Sequence, residues 1–278
     1  MKIYISADME GTAGVSSWDQ VDARNYTADY FIYQKVMTAE VCAAIAGAGK
    51  AGAREFLIND SHGPMRNLLL DELPQDARVI FGNRKPYSMV ESLDRSFDGV
   101  FFTGYHGAIG ERNATLCHTY TPSVVYDARL NGLRCSEATL NAALAGFYGV
   151  PVLLITGDRT TIESAQKQMP WVTGVIVKES IGNYAVDSLS PQAAQEAIQN
   201  GAAAAVRAIK EARPFVIDPP IVLEIDLAKV EQADWIELIP GFERSGDRAV
   251  RFTSDDYPTV FKAFVAAFRM GAVADARA

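Results

Sequence analysis

Residues 2–11 read Lys2-Ile3-Tyr4-Ile5-Ser6-Ala7-Asp8-Met9-Glu10-Gly11. Apolar and polar side chains alternate up to Ala7, which is the two-residue period of a strand, and the run then stops at two acids. In an extended segment a spacing of two sends the Asp8 and Glu10 side chains the same way. Short apolar runs recur at 55–58, 78–81, 99–103, 151–156 and 174–177 and predict further buried strands. Between them, residues 28–52, 137–148 and 160–168 carry apolar side chains at helical spacing. Strands alternating with amphipathic helices predict an α/β domain of three layers with a largely parallel central sheet.

The texture changes twice. Residues 124–134 read as a hairpin, with Asn131-Gly132 as its turn. The Ala-rich stretch 190–213 predicts a long helix that Pro214 terminates. After Asp218-Pro219-Pro220 a strand at 222–226, a helix at 230–238, a strand at 249–253 and a closing helix at 257–270 predict a smaller α+β unit. The expected division is therefore a main domain over 1–214 with a second unit, 215–278, packed on it.

Composition excludes several roles. The chain has 278 residues, 49% hydrophobic and 22% charged, with a net charge of -8. Phosphate neutralisation needs a basic face, so nucleic acid is not an expected partner. No run approaches the roughly 18 apolar residues of a membrane span. The N-terminal stretch lacks the features of a secretory leader, and Cys42, Cys117 and Cys135 are too few and irregular for a disulfide framework, so a cytoplasmic location is expected. Gly104, Gly107 and Gly110 lie three apart, unlike a dinucleotide fingerprint, and no phosphate-binding loop is present.

The chain has three histidines: His62, His106 and His118. His62 and His106 follow predicted strand ends, in glycine-containing loops. In an open parallel sheet, ligands gather beyond the C-terminal strand ends, so Asp8, Glu10, Asp60, His62 and His106 should converge on one edge. Two neighbouring acids repel unless a cation lies between them. Carboxylate and imidazole donors together suit Zn²⁺, with Mn²⁺ or Co²⁺ as substitutes. Asp60 is expected to orient His62 or its loop.

Five motifs then resemble one family. Ser6-Ala7-Asp8-Met9-Glu10-Gly11, Asn59-Asp60-Ser61-His62, Lys85-Pro86-Tyr87-Ser88-Met89, Gly104-Tyr105-His106 and Ser136-Glu137-Ala138-Thr139-Leu140-Asn141-Ala142 are similar, in order and spacing, to the zinc D-aminopeptidases once described as dipeptide transport proteins. The resemblance implies an α/β fold with a smaller α+β part and a cofactor of two Zn²⁺ per subunit. Asp8 would bridge the ions, Glu10 and His106 would complete one site, and His62 with Glu137 the other. It implies a catalytic role for His118, as nucleophile or as general base. It also implies short peptide substrates, D-residue preference and a homo-oligomer, in the family a decamer. Three positions depart from the pattern: Ser136 for Gly, Cys117 for Ser and Gly107 for Ala. Cys117 is expected to be a buried, inert thiol rather than a ligand.

Trp18 and Tyr26 are candidates for shaping the substrate pocket, and Gly157-Asp158 either lines the site or turns the chain into a helix. Other readings stay open: a dinuclear enzyme acting on L-peptides, cell-wall peptides or other small amides, and a peptide-binding protein without activity.

Overall fold

A computed structural model describes residues 1–24 and 27–274. Tyr26 lies outside the described residues. A seven-stranded sheet forms the centre, in the order β3-β2-β1-β4-β7-β8-β9. Its strands are β1 (Lys2–Ala7), β2 (Glu55–Asp60), β3 (Ala77–Ile80), β4 (Gly99–Tyr105), β7 (Val152–Asp158), β8 (Thr173–Gly182) and β9 (Ala185–Ser188). All neighbours pair in parallel except β8 with β9, which form an antiparallel edge.

Both faces of the sheet are covered. Ile3, Ile5, Phe101, Leu154 and Val177 face one core, closed by α1 (Ala28–Lys50) and α4 (Pro191–Arg207), which pack on each other. Tyr4, Phe102, Val152 and Ile155 face the other, shared with α2 (Glu137–Phe147), α3 (Arg159–Gln168) and the second sheet. β4 and β7 are buried along their whole length, as parallel strands between two helical layers must be. Tyr4 and Ser6 of β1 are therefore not solvated. Tyr4 donates its hydroxyl to the Glu91 carbonyl at 2.7 Å, and Ser6 lies among Ser61, Tyr105 and the Met89 carbonyl.

The second sheet is antiparallel, in the order β11-β12-β10-β5-β6. It joins β10 (Ile221–Leu227), β11 (Phe242–Gly246) and β12 (Ala249–Ser254) to β5 (Val125–Leu130) and β6 (Leu133–Arg134). The hairpin thus joins a sheet with strands that follow residue 214, although it lies before that residue itself. Its turn residues Asn131 and Gly132 have φ of 49° and 80°, the left-handed conformation that the Asn-Gly pair tolerates. The helices α5 (Val230–Ile236) and α6 (Tyr257–Ala274) pack on each other, and α6 also meets α2.

The Ala-rich helix stops at Arg207, earlier than Pro214. The Ala208 N–H bonds the Ala204 carbonyl, and a single 3₁₀ turn over Ile209–Glu211 follows. The break is made by this tightened turn, and proline only prevents a restart. No helix among the described residues is long and apolar enough to cross a membrane.

Candidate metal centre

The C-terminal ends of β1, β2 and β4 deliver the first four donors. Asp8 and Glu10 follow β1, His62 lies two residues beyond β2, and His106 directly follows β4. Two close backbone approaches fix the geometry. The Asp8 N–H donates to the Thr103 carbonyl and the Gly11 N–H to the Gly104 carbonyl. A Cβ on Gly11 would lie 1.9 Å from the Tyr105 carbonyl oxygen, and one on Gly104, at φ +67°, would lie 2.2 Å from that of Asp8. Only glycine lets these two loops touch.

Glu137 arrives from the other side, in the first turn of α2. Ser136 caps that helix by accepting from the Thr139 N–H, so the serine that departs from the family pattern has a local function. The Glu137 carboxylate accepts the Tyr120 N–H at 2.6 Å. The structure brings Asp8, Glu10, His62, His106, His118 and Glu137 into one buried cluster.

All three imidazoles are held in the same manner. His62 Nε2 bonds the Val21 carbonyl at 2.7 Å, His106 Nδ1 that of Gly107 at 3.0 Å, and His118 Nδ1 that of Leu116 at 2.9 Å. Each carbonyl can only accept, so each fixes an N–H on one ring nitrogen and turns the other towards the carboxylates. His62 Nδ1 is 2.9 Å from Glu10 and 3.4 Å from Asp8. His106 Nε2 is 3.4 Å from both Asp8 and Glu137, and His118 Nε2 is 3.5 Å from Glu137 and 3.8 Å from Glu10. The His106 and His118 rings stack at 4.1 Å, and Trp18 meets His118 edge-on at 5.4 Å.

Such a cluster is costly to bury without a compensating charge. Burial, reinforced by the like charge of Glu10, pushes Asp8 up to about 7. Burial also opposes charge on His106, yet Glu137, Glu10 and Asp8 outweigh it and raise that imidazole to about 10. His62 is likewise held well above its ordinary value, against burial, by Glu10 and Asp8. His118 goes the other way, lowered by burial and by the neighbouring His106 charge. Glu10 resists the upward push of burial through His62 and His118 and stays well below the usual carboxylate range.

A cation among these donors would compensate the buried carboxylates. Asp8 Oδ2 and His106 Nε2 are buried and face each other, and neither has a hydrogen-bond partner among the described residues. Three overlapping donor sets are close enough for an ion: Asp8-Glu10-His62, Asp8-His106-Glu137 and Glu10-His106-His118. Asp8 belongs to two of them. Glu10 and His106 share a set, whereas His62 and Glu137 share none.

Asp60 acts one step further out. Its carboxylate accepts the N–H groups of Asn67 and Leu68 and the Asn67 side-chain amide, and that amide also donates to the His62 carbonyl. Lys85, in the third motif, donates to Asn59 Oδ1 and the Asp60 carbonyl, both at 2.6 Å. Gly107 packs so closely on Ala114 that an added Cβ would come within 2.6 Å of the alanine methyl. Cys117 is half-buried, not fully buried as expected. Its thiol points to Asn183 Oδ1 at 3.6 Å in the β8–β9 turn, and it joins none of the donor sets found among the described residues. Asp158 caps α3 through Thr161 and also accepts the Thr115 N–H, so Gly157-Asp158 is the turn into a helix.

Sequence reasoning missed Lys178. It lies on β8, is 2% exposed, and donates to the carbonyls of Glu10 (2.5 Å), Thr12 (3.0 Å) and Val15 (2.8 Å). The loop that carries Glu10 is thereby tied to the far side of the sheet. Lys178→Met should weaken zinc binding by roughly 10- to 100-fold, the usual effect of losing an outer partner of a ligand. Competition with a chromogenic chelator would measure it, with circular dichroism to verify folding. Unchanged affinity in a folded variant would show that the tie does not position Glu10.

The cluster opens into a cavity of about 1010 Å³ lined also by Trp18, Val21, Met65, Met89, Tyr120 and Phe268. The D-aminopeptidase model of peptidase family M55 matches residues 1–266. A D-aminopeptidase of Bacillus subtilis (strain 168) is 36% identical over 271 residues, 95% of this chain and 96% of the relative. A solved structure described as the Zn-dependent D-aminopeptidase DppA from Bacillus subtilis, a self-compartmentalizing protease, superposes with a TM-score of 0.94 at 34% identity, covering 98% of both chains. Five motifs, a shared fold and a match along almost the whole length place the chain in the M55 family of D-aminopeptidases.

Proposed function

We propose that the protein carries out the D-aminopeptidase activity of its family on short peptides with two zinc ions, held by Asp8, Glu10, His62, His106 and Glu137, and with His118 as the catalytic base. One observation carries this reading: three buried imidazoles, each anchored to a carbonyl through one nitrogen, turn the other onto three buried carboxylates. Asp8 would serve both ions, with Glu10 and His106 holding one and His62 and Glu137 the other, as the motif resemblance implies. Zinc supplies Lewis-acid polarisation of the scissile carbonyl and an acidified water.

The protein's own groups do the rest. Nδ1–H of His118 is engaged by the Leu116 carbonyl, so Nε2 carries a free lone pair inside the cavity. Burial favours the neutral ring, which is able to take a proton. The same Nε2–H can then protonate the leaving amine. Trp18 packs edge-on against the ring. The name of the B. subtilis structure, a self-compartmentalizing protease, supports a homo-oligomer here, and we extend this to the decamer that the motif resemblance implies. Free thiols at Cys42, Cys117 and Cys135 suit the reducing cytoplasm.

The test is amino-acid release by zinc-loaded protein from D-Ala-D-Ala and L-Ala-L-Ala, with and without a chelator. Cleavage confined to the D-peptide and abolished by the chelator is expected. Cleavage of the L-peptide alone would overturn the substrate reading, and chelator-resistant turnover would overturn the metal centre.

A further inference from the structure

Charge is distributed unevenly over the cavity wall. Asp8, Glu10 and Glu137 form its buried floor, while Arg24, Arg66 and Arg269 line its exposed part. Arg24 is engaged by Asp22, with Nε and Nη2 at 2.9 and 2.8 Å from the carboxylate. Arg66 and Arg269 differ: among the described residues no carboxylate pairs with either. The Arg269 guanidinium lies 5.0 Å from the Phe268 ring, partly withdrawn from water on the last turns of α6. Burial and the like charge of Arg84 both work against its protonated state. An anion at this point would relieve both.

An aminopeptidase holds the amino end of its substrate at the reacting centre. In a short peptide the other end is a carboxylate, at most roughly 7 Å away for two residues and 11 Å for three. That charge enters a cavity bounded by Trp18, Met65, Met89 and Phe268 and loses water as it does so. Without a partner its desolvation would be costly. Planar guanidinium groups match a carboxylate in geometry and keep their charge.

Resting on the aminopeptidase reading above, we propose that Arg269 and Arg66 recognise the free C-terminal carboxylate of the peptide and so select di- and tripeptides. Longer peptides place that carboxylate beyond their reach, and C-terminally blocked peptides lack it. The two arginines determine specificity without touching the reacting atoms.

The test compares zinc-loaded wild type with Arg269→Ala, Arg66→Ala and Arg269→Lys on D-Ala-D-Ala and on its C-terminal amide. A charge-assisted pair lost from a binding site costs about tenfold or more. The wild type should prefer the acid over the amide by about that factor in kcat/KM, mainly through KM. Each alanine variant should bring the ratio towards one, and Arg269→Lys should restore part of it. Equal use of acid and amide by the wild type, or a preference unchanged in both alanine variants, would overturn the inference while leaving the aminopeptidase standing. Failure of the wild type to cleave either substrate would overturn both.

Discussion

An Asp8→Asn variant is expected to lose activity by on the order of 10³-fold or more, the scale on which electrostatic stabilisation fails in other hydrolytic sites, while its zinc-free form becomes more stable. Asp8 is shared by two donor sets, so neutralising it removes charge from both at once. Its Oδ2 has no hydrogen-bond partner among the described residues, and burial raises the carboxyl to about 7. A carboxyl raised in the folded state destabilises the protein progressively as the pH climbs from its ordinary value to about 7. Asparagine has the same shape and no such titration. The gain should therefore be small near pH 4 and full at pH 7, on the order of 1 kcal/mol and a few degrees in Tm. With zinc present the order reverses, because only the wild type is stabilised by tight binding. Calorimetry of both proteins, with and without zinc, at two pH values would check this. A variant less stable than wild type in the absence of zinc would show that Asp8 serves the fold.

The second large effect belongs to His118. His118→Ala should lower kcat by roughly 10²- to 10⁴-fold, the contribution of a positioned acid–base group, while the zinc content of the wild type is retained. The control matters because His118 Nε2 shares a possible donor set with Glu10 and His106. Metal content measured by mass spectrometry separates the two roles. An inactive variant that keeps that content supports a base, whereas one that has lost an ion makes His118 a ligand.

The convergence of the site was legible because parallel strands impose it. As parallel strands of one sheet, residues 2–7, 55–58 and 99–103 bring Asp8, His62 and His106 out at one edge, and the structure makes these strands direct neighbours. Glu137 was different. An acid in the first turn of a helix is ordinary, and only the motif resemblance singled it out. Lys178 could not be found at all, because a lysine in a strand reads as solvent-facing. Its burial depends on the loop of residues 10–15 folding over it. Strands β9 and β11 escaped for a related reason: they are edge strands with much exposed surface, so no apolar period marks them. The hairpin at Asn131-Gly132 was evident from local turn chemistry. Its membership of the second sheet was not, since pairing with β10 joins residues 93 to 102 positions apart.

That long-range pairing has a consequence for the order in which the protein is made. During synthesis β5 and β6 leave the ribosome well before β10, and their open edge must wait for a partner. Phe268 and Arg269, which belong to the same late segment, close the cavity wall only when the last helix docks. All six donor residues, from Asp8 to Glu137, therefore precede in sequence the segment that completes the substrate chamber. The donors and the wall of the chamber thus meet through the docking of α6 on α2.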